Sequence, residues 1–166
     1  MGDAQIRLRP VVPGDCERFW LWRNEAATRL ASFDTAEIPY ETHEKWFCQK
    51  ILDPEFRCFV GVDPEGLDVG YVRFDLEGES ARISVGVAAD RRNQGYGRLL
   101  IEEASRRLLG DESVGRVMAL IREDNPVSLR AFERAGFVRC GEKVHKGIPA
   151  FELYFPPDEG QVPSGP

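Results

Sequence analysis

The spacing of apolar and polar residues predicts the elements of the first half of the chain. Ile6 and Leu8 alternate with arginines, which is the period of a half-buried strand over 5–12. Pro13, Gly14 and Asp15 then form a predicted turn, in which Asp15 caps a helix that ends at about Asn24. The other predicted elements of this half are a helix over 40–52 and strands over 57–62, 69–74 and 82–88.

The second half has a different pattern. Apolar residues over 96–108 recur every three or four positions, which predicts an amphipathic helix that ends at Gly110. Asp124 or Asn125 caps a further helix, and Gly136 ends it. Strands are predicted over 116–121, 137–140 and 150–155. The order β-α-α-β-β-β-α-β-α-β-β indicates an α/β protein with a strand meander, unlike a doubly wound sheet.

Composition narrows the function classes. The 166 residues suit one domain, which we expect over 1–155, followed by a flexible Pro/Gly-rich tail over 156–166. A net charge of −6 argues against nucleic acid or an anionic membrane as a partner. The sequence has neither an apolar run long enough to span a membrane nor a signal-peptide core. The four cysteines lack metal-ligand spacing, so we expect reduced thiols in the cytoplasm and no metal.

The most informative segment joins the strand over 82–88 to the following helix. Its glycines and arginines are Gly95, Gly97, Arg91, Arg92 and Arg98. Glycines allow close approach of the backbone, and the free amides of a helix N-terminus attract anions, so this junction suits a phosphate. Leu100 replaces the third glycine of a dinucleotide fingerprint, and the Gly-Lys-Ser/Thr of a P-loop is absent. A glycine turn with incidental arginines is the structural alternative.

Two motifs resemble the signatures of one superfamily. Arg92-Asn-Gln-Gly-Tyr-Gly97 is similar to the pyrophosphate loop of the GNAT N-acetyltransferases, Arg/Gln-x-x-Gly-x-Gly/Ala, at a strand-to-helix junction. About 30 residues later, the segment from Asn125 to Phe137 resembles the second signature of that superfamily, a capping Asn, a small residue, an aromatic residue and Gly-Phe. The resemblance covers about 6–155 and is strongest over 82–137.

The resemblance implies a fold and a cofactor. The expected fold is a single-domain GNAT fold, whose mixed and mostly antiparallel sheet has splayed fourth and fifth strands and about four flanking helices. Acetyl-CoA would lie between the splayed strands and donate its acetyl group to a primary amine in a ternary complex. The implied cofactor-binding residues are Val85, Val87, Arg92, Asn93, Gln94, Gly95, Tyr96, Gly97, Arg98, Asn125 and Ser128.

The general acid and base are not evident from the sequence. Phe132 stands where the family often has a tyrosine, and a phenyl ring cannot donate a proton. The remaining candidates are Glu123, Ser84 and His43. Each also has a purely structural interpretation. Glu123 would be a solvated carboxylate beside a helix cap, Ser84 a side chain that faces away from Val85, and His43 a histidine on a helix surface.

The N-terminal half resembles two branches of the superfamily. These are the acetyltransferases of amino-sugar nucleotides, of the pseudaminic-acid-pathway type, and the enzymes that acetylate ribosomal-protein N-termini. We favour the sugar branch. Arg23 would bind a phosphate of the substrate, and Phe33 and Trp46 would be further substrate-binding residues. The alternatives are that the aromatic residues are core residues, or that the chain is a catalytically silent CoA-binding module. A monomer or a homodimer is expected.

Overall fold

The computed structural model describes residues 4–111 and 113–156. Its elements, in chain order, are β1 (Arg7–Pro10), α1 (Cys16–Asn24), α2 (Ala26–Ala31), α3 (Tyr40–Lys50), β2 (Phe56–Val62), β3 (Asp68–Glu77), β4 (Ser80–Val87), α4 (Tyr96–Leu109), β5 (Arg116–Arg122), α5 (Pro126–Arg134), β6 (Val138–His145) and β7 (Ile148–Phe155). The predicted tail lies outside the described residues except for Pro156, so it stays a prediction.

One sheet organises these elements. Its seven strands have the order β1-β2-β3-β4-β5-β7-β6, and β4 with β5 is the parallel pair among otherwise antiparallel neighbours. The predicted fold is therefore confirmed: an α/β sheet, mostly antiparallel, with helices packed against it.

The two faces of the sheet have separate cores. In β3, Val72 and Phe74 face the core that contains α4, whereas Tyr71 faces a second core with Phe19 of α1 and Phe47 of α3. Successive side chains of a strand point to opposite faces, so this alternation follows from the sequence of β3. The ring of Phe19 stacks on that of Tyr71 with their centroids 4.5 Å apart.

Several element boundaries differ from the predictions. Helix α2 was not predicted, because its six residues have no buried side chain and therefore no apolar stripe. Strand β6 extends to His145, well beyond the predicted 137–140, and is mostly exposed. It joins β7 through Lys146 and Gly147, whose φ angles are 50° and 77°. Positive φ at both positions matches the two-residue hairpin turn, which a following glycine favours.

Asp15 stands at the N-cap position of α1, as predicted, but its side chain makes no capping hydrogen bond to the helix. Its carboxylate accepts hydrogen bonds from Arg9 Nη1 and Nη2, at 2.9 and 2.8 Å, and from the Val12 amide at 2.9 Å. The carboxylate therefore fixes the 3₁₀ turn before α1 and ties it to β1. Burial opposes its charge, but these hydrogen bonds outweigh burial and hold the pKa of Asp15 below its ordinary value.

Replacing this carboxylate should destabilise the fold in a pH-dependent way. We expect Asp15→Asn to lower the free energy of unfolding by about 1–3 kcal/mol at pH 7, because charged hydrogen bonds to Arg9 are lost. A depressed pKa stabilises the fold above the unfolded value and loses this effect as pH falls through the folded value. Urea unfolding at decreasing pH should therefore show the two proteins converging. A constant difference across that range would contradict the assignment.

Candidate active site

Strands β4 and β5 separate after a short paired segment. Their parallel register runs from the Ser80–Arg116 pair to the Arg82–Met118 pair and stops there. The remainder of β4, up to Val87, stays paired with β3 on its other side. A gap therefore opens between β4 and β5, as predicted for splayed fourth and fifth strands.

The backbone of β4 presents amides to this gap. The amide of Ala88 donates to the Val69 carbonyl of β3 at 2.9 Å. Amides alternate sides along a strand, so those of Ser84 and Gly86 face β3 whereas those of Val85 and Val87 face the gap. Val85 and Val87 thus offer unpaired hydrogen-bonding groups at the position where the resemblance implied them.

The first of two cavities lies at the N-terminus of α4. We call it the glycine-loop cavity; its residues include Val87, Arg92, Asn93, Gly95, Gly97, Arg98, Val127 and Arg134. Gly95 has a φ of 87°, a conformation that favours glycine, and it ends the loop immediately before the first helical residue. A Cβ atom at Gly97 would approach only Val87 Cγ2, at 3.6 Å, among its non-local neighbours. The first amides of α4 are therefore accessible, which suits an anion.

Two arginines of this loop are already paired. Arg91 donates to Asp63 at 2.9 Å, and the Asp63 side chain is fully buried, so Arg91 anchors the loop rather than extending freely to an anion. Arg92 donates to the Glu25 carboxylate, with one bond of 2.9 Å, and to the Thr28 hydroxyl at 2.9 Å. The predicted phosphate contact of Arg92 would therefore compete with Glu25.

The second cavity lies on the α1 and α3 side of the gap. We call it the aromatic cavity; it has a volume of about 680 Å³ and its residues include Phe19, Arg23, Phe33, Asp34, His43, Trp46, Tyr71, Arg73, Ser84, Arg122, Phe132 and Lys146. All three predicted substrate-binding residues are in this set. Trp46 and Phe33 contribute aromatic faces from α3 and from the segment after α2.

His43 is buried in the wall of the aromatic cavity. Its Nε2 lies 2.9 Å from the Cys16 carbonyl oxygen. A carbonyl oxygen can only accept, so Nε2 carries a hydrogen. Burial lowers the pKa of His43, aided by the charge of Arg73 and opposed by the bond to Cys16. The ring is therefore neutral at pH 7, and its Nδ1 retains a lone pair.

Ser84 and Tyr71 contribute hydroxyl groups from the sheet to the lining of the aromatic cavity. Ser84 pairs with Arg73 and faces the side opposite to Val85, as the strand alternation predicted. Tyr71 lies against Gly86, where an added Cβ atom would be 2.6 Å from its ring and 3.2 Å from its hydroxyl. Burial raises the pKa of Tyr71, so its hydroxyl keeps its proton at neutral pH.

The two cavities meet at the gap. Six residues line both of them: Thr28, Ala31, Ser32, Val85, Asn125 and Ser128. Asn125 caps α5, with its side-chain oxygen 3.1 Å from the Ser128 amide. Helix α2 and the start of α5 therefore close the junction opposite to β4. A group bound in one cavity can contact a group bound in the other at Val85.

Three predicted site residues line neither cavity. Glu123 is exposed in the turn after β5, and its amide donates to the Pro149 carbonyl. Gln94 donates from its side chain to the Asp90 carbonyl, so it stabilises the loop. Tyr96 is buried as the first residue of α4. Glu123 therefore has no contact with the junction, and we do not retain it as a catalytic candidate.

Sequence reasoning missed several residues of the aromatic cavity. Tyr71 and Arg73 lie in the predicted strand over 69–74, and neither is among the predicted site residues. Alternation along β3 could have shown that they share a face, but it could not show that this face lines a cavity. Arg122, rather than its neighbour Glu123, turns inward; it donates to the Ser32 carbonyl at 2.8 Å and pairs with Asp124.

Two general findings concern metals and membranes. Within 4–111 and 113–156, no cluster of three or more His, Cys, Asp or Glu side chains is arranged to hold a metal ion. In the same residues, no helix is long and apolar enough to cross a membrane.

Solved structures of known proteins share this fold. A spermidine N-acetyltransferase from Vibrio cholerae, in complex with CoA and spermine, superposes with a TM-score of 0.79 at 20% identity, over 91% of this chain and 95% of that one. An aminoglycoside acetyltransferase in complex with coenzyme A and kanamycin has a TM-score of 0.78 at 18% identity, over 90% and 94% of the two chains. At such identities the likeness concerns the fold alone.

Sequence comparison identifies the family. A curated mycothiol acetyltransferase from Paenarthrobacter aurescens is 29% identical over 152 residues, which are 86% of this chain and 45% of that protein. The chain thus spans less than half the length of this curated relative. A family model described as an acetyltransferase (GNAT) domain matches residues 5–138, most of the chain. The chain therefore belongs to the GNAT acetyltransferase family.

Proposed function

We propose that this chain transfers the acetyl group of acetyl-CoA to a primary amine in a ternary complex. The observation that carries the proposal is the junction of the two cavities at Val85, in the gap between β4 and β5. One cavity would hold the acyl donor and the other the amine. Direct transfer requires that the two reactants meet in one site, and proximity of this kind lowers the barrier substantially.

The residues of the glycine-loop cavity fit the diphosphate of CoA. The amides that follow Gly95 in α4 are accessible and carry the positive end of the helix dipole. Arg98 lines the same cavity, and Asn125 and Ser128 line its far side. Val85 and Val87 would hydrogen-bond the extended arm of the cofactor through their backbone groups. When bound, acetyl-CoA supplies the activated thioester.

His43 fits the role of general base. An amine attacks only through its neutral form, and a lysine-like amine has a pKa of about 10.4, so a proton must be removed at neutral pH. The neutral imidazole in the wall of the aromatic cavity can accept that proton at Nδ1. Ser84 lines the same cavity and remains a second candidate for a polar contact with the amine.

The other two requirements are an oxyanion donor and a proton for the departing thiolate. The Val85 amide faces the gap and suits the oxyanion, because a fixed backbone donor stabilises developing negative charge. Phe132 cannot supply the proton, although it lines the aromatic cavity. Tyr71 lines the same cavity with a protonated hydroxyl, so we assign the proton donation to Tyr71.

The acceptor that we favour is a nucleotide-linked amino sugar. Arg23 could bind its phosphate, and Trp46 and Phe33 could contact the flat faces of a base or sugar ring. A protein N-terminus is the alternative acceptor, and a silent CoA-binding module is the alternative function.

Thiol release from acetyl-CoA tests the proposal directly. The acceptor panel would comprise UDP-linked amino sugars, short peptides with free N-termini and spermidine, each at several concentrations. We expect amine-dependent release of CoA and an acetylated product that mass spectrometry identifies. Acetylation of peptides with no reaction of the sugars would overturn the sugar acceptor. Tight CoA binding without turnover on any amine would support the silent module instead.

A further inference from the structure

Two arginines of the aromatic cavity have buried guanidinium nitrogens without a partner. Arg23 Nη1 and Arg73 Nε are inaccessible to solvent and have no hydrogen bond with any described residue. Arg23 Nη2 donates to the Asp34 carbonyl oxygen at 2.9 Å, which fixes the side chain in the cavity. The guanidinium of Arg73 lies over the ring of Trp46, 4.9 Å from its centroid. Both groups are therefore held in place.

Neither arginine has a carboxylate partner among residues 4–111 and 113–156. Three other arginines at the two cavities differ: Arg91 pairs with Asp63, Arg92 with Glu25 and Arg122 with Asp124. A buried donor that lacks an acceptor costs free energy, and the cost is greater when the group is charged. A negatively charged group bound in the cavity would instead compensate the unpaired positive charge of the two side chains, both of which line it.

The remaining charged residues of the aromatic cavity are mostly basic. Lys146 and Arg122 also line it, and Asp34 is the acidic residue among its described lining. One oxygen of the Asp34 carboxylate accepts from the Ala36 amide at 3.0 Å. A polycation such as spermidine would meet repulsion here, whereas an anion would meet fixed donors.

We propose that the acceptor amine carries a carboxylate or phosphate group and that Arg23 and Arg73 bind this group. The proposal rests on the proposed acetyl transfer, and it extends that function to a chemical class of substrate. The planar fork of a guanidinium matches both anions, so either chemistry suits the pair. Arg73 of β3 and Trp46 of α3 would then determine together which amines the cavity accepts.

Matched pairs of amines test the proposed specificity. Glucosamine 1-phosphate is compared with glucosamine, and phenylalanine with phenylalaninamide, in thiol release at saturating acetyl-CoA. We expect kcat/KM to favour the anionic member of at least one pair by about 10- to 100-fold. The pair with the larger ratio distinguishes phosphate from carboxylate. Equal values within both pairs, or a preference for spermidine over every anionic amine, would overturn the proposal.

Substitutions of the two arginines test whether they cause the preference for an anionic amine. Arg73→Gln and Arg23→Gln should reduce the ratio of anionic to neutral kcat/KM towards one, and Arg73→Lys should give an intermediate ratio because it keeps the charge without the fork. Arg82→Gln is the matched control, since Arg82 belongs to β4 but is exposed and lines neither cavity. An unchanged ratio in both glutamine variants would contradict the assignment.

A binding measurement separates this proposal from the acetyl transfer itself. Inorganic phosphate or acetate is titrated calorimetrically into protein saturated with CoA, so that the glycine-loop cavity is already occupied. Wild type and Arg82→Gln should bind one of these anions, and the Arg23 and Arg73 variants should bind it more weakly. That result would support the anion site even if no amine were acetylated. Equal binding by wild type and all of these variants, or no binding by wild type, would overturn it.

Discussion

A Gly97→Asp variant is expected to bind CoA about 100-fold more weakly than the wild-type protein. Gly97 is the second residue of α4, and its amide lies among the first free amides of the helix. An aspartate there would add a negative charge within a few ångströms of the diphosphate, and repulsion at 4 Å amounts to about 4 kcal/mol near a protein surface. Calorimetric titration of CoA measures the change.

Gly97→Asn is the matched control for this variant. Asparagine has nearly the same shape without the charge, and a Cβ atom at this position meets only Val87 Cγ2, at 3.6 Å. We expect its affinity for CoA to lie far closer to that of wild type. An aspartate in the first turn also favours the helix dipole, so the charged variant should unfold no earlier than the control. Equal affinities of the two variants for CoA would show that the diphosphate does not bind at the N-terminus of α4.

The backbone around the glycine-loop cavity was predictable because its signals are local. A glycine before α4 and the capping Asn125 before α5 determine the backbone within a few residues of themselves. The end of β4–β5 pairing after Arg82 is not local, and it entered the prediction only through the family resemblance. The pairing of Arg92 with Glu25 joins residues far apart in sequence, so no motif could indicate it.

The aromatic cavity was less predictable for a different reason. The chain has a net charge of −6, yet the aromatic cavity gathers arginines and a lysine around a single described acidic residue. Net charge describes the whole surface and says nothing about one concave site. Arg73 is one of many arginines in the sequence, and only its burial without an acceptor distinguishes it from the paired ones.

We expect His43→Gln to lower kcat/KM for the acceptor by about 100-fold at pH 7, the lower end of what a general base contributes. Glutamine can still donate an amide hydrogen to the Cys16 carbonyl, so the packing of α3 against α1 should survive while the basic lone pair is lost. The pH dependence of thiol release is the measurement. The deficit should shrink at high pH, because a larger fraction of the amine is then already neutral.

We have a second expectation, for the pH dependence of kcat/KM in the wild-type protein. Burial lowers the pKa of His43 below 6.5, so the imidazole stays neutral, and activity persists, down to a pH below that value. The further fall in kcat/KM that protonation of His43 causes at low pH should be absent from His43→Gln, which keeps only the fall due to protonation of the amine, whereas Ser84→Ala, on the same cavity wall, should keep both. A His43→Gln profile that runs parallel to the wild-type profile at every pH would mean that His43 only positions α3. The base would then have to be sought among the other residues of the aromatic cavity, since Glu123 lines neither cavity.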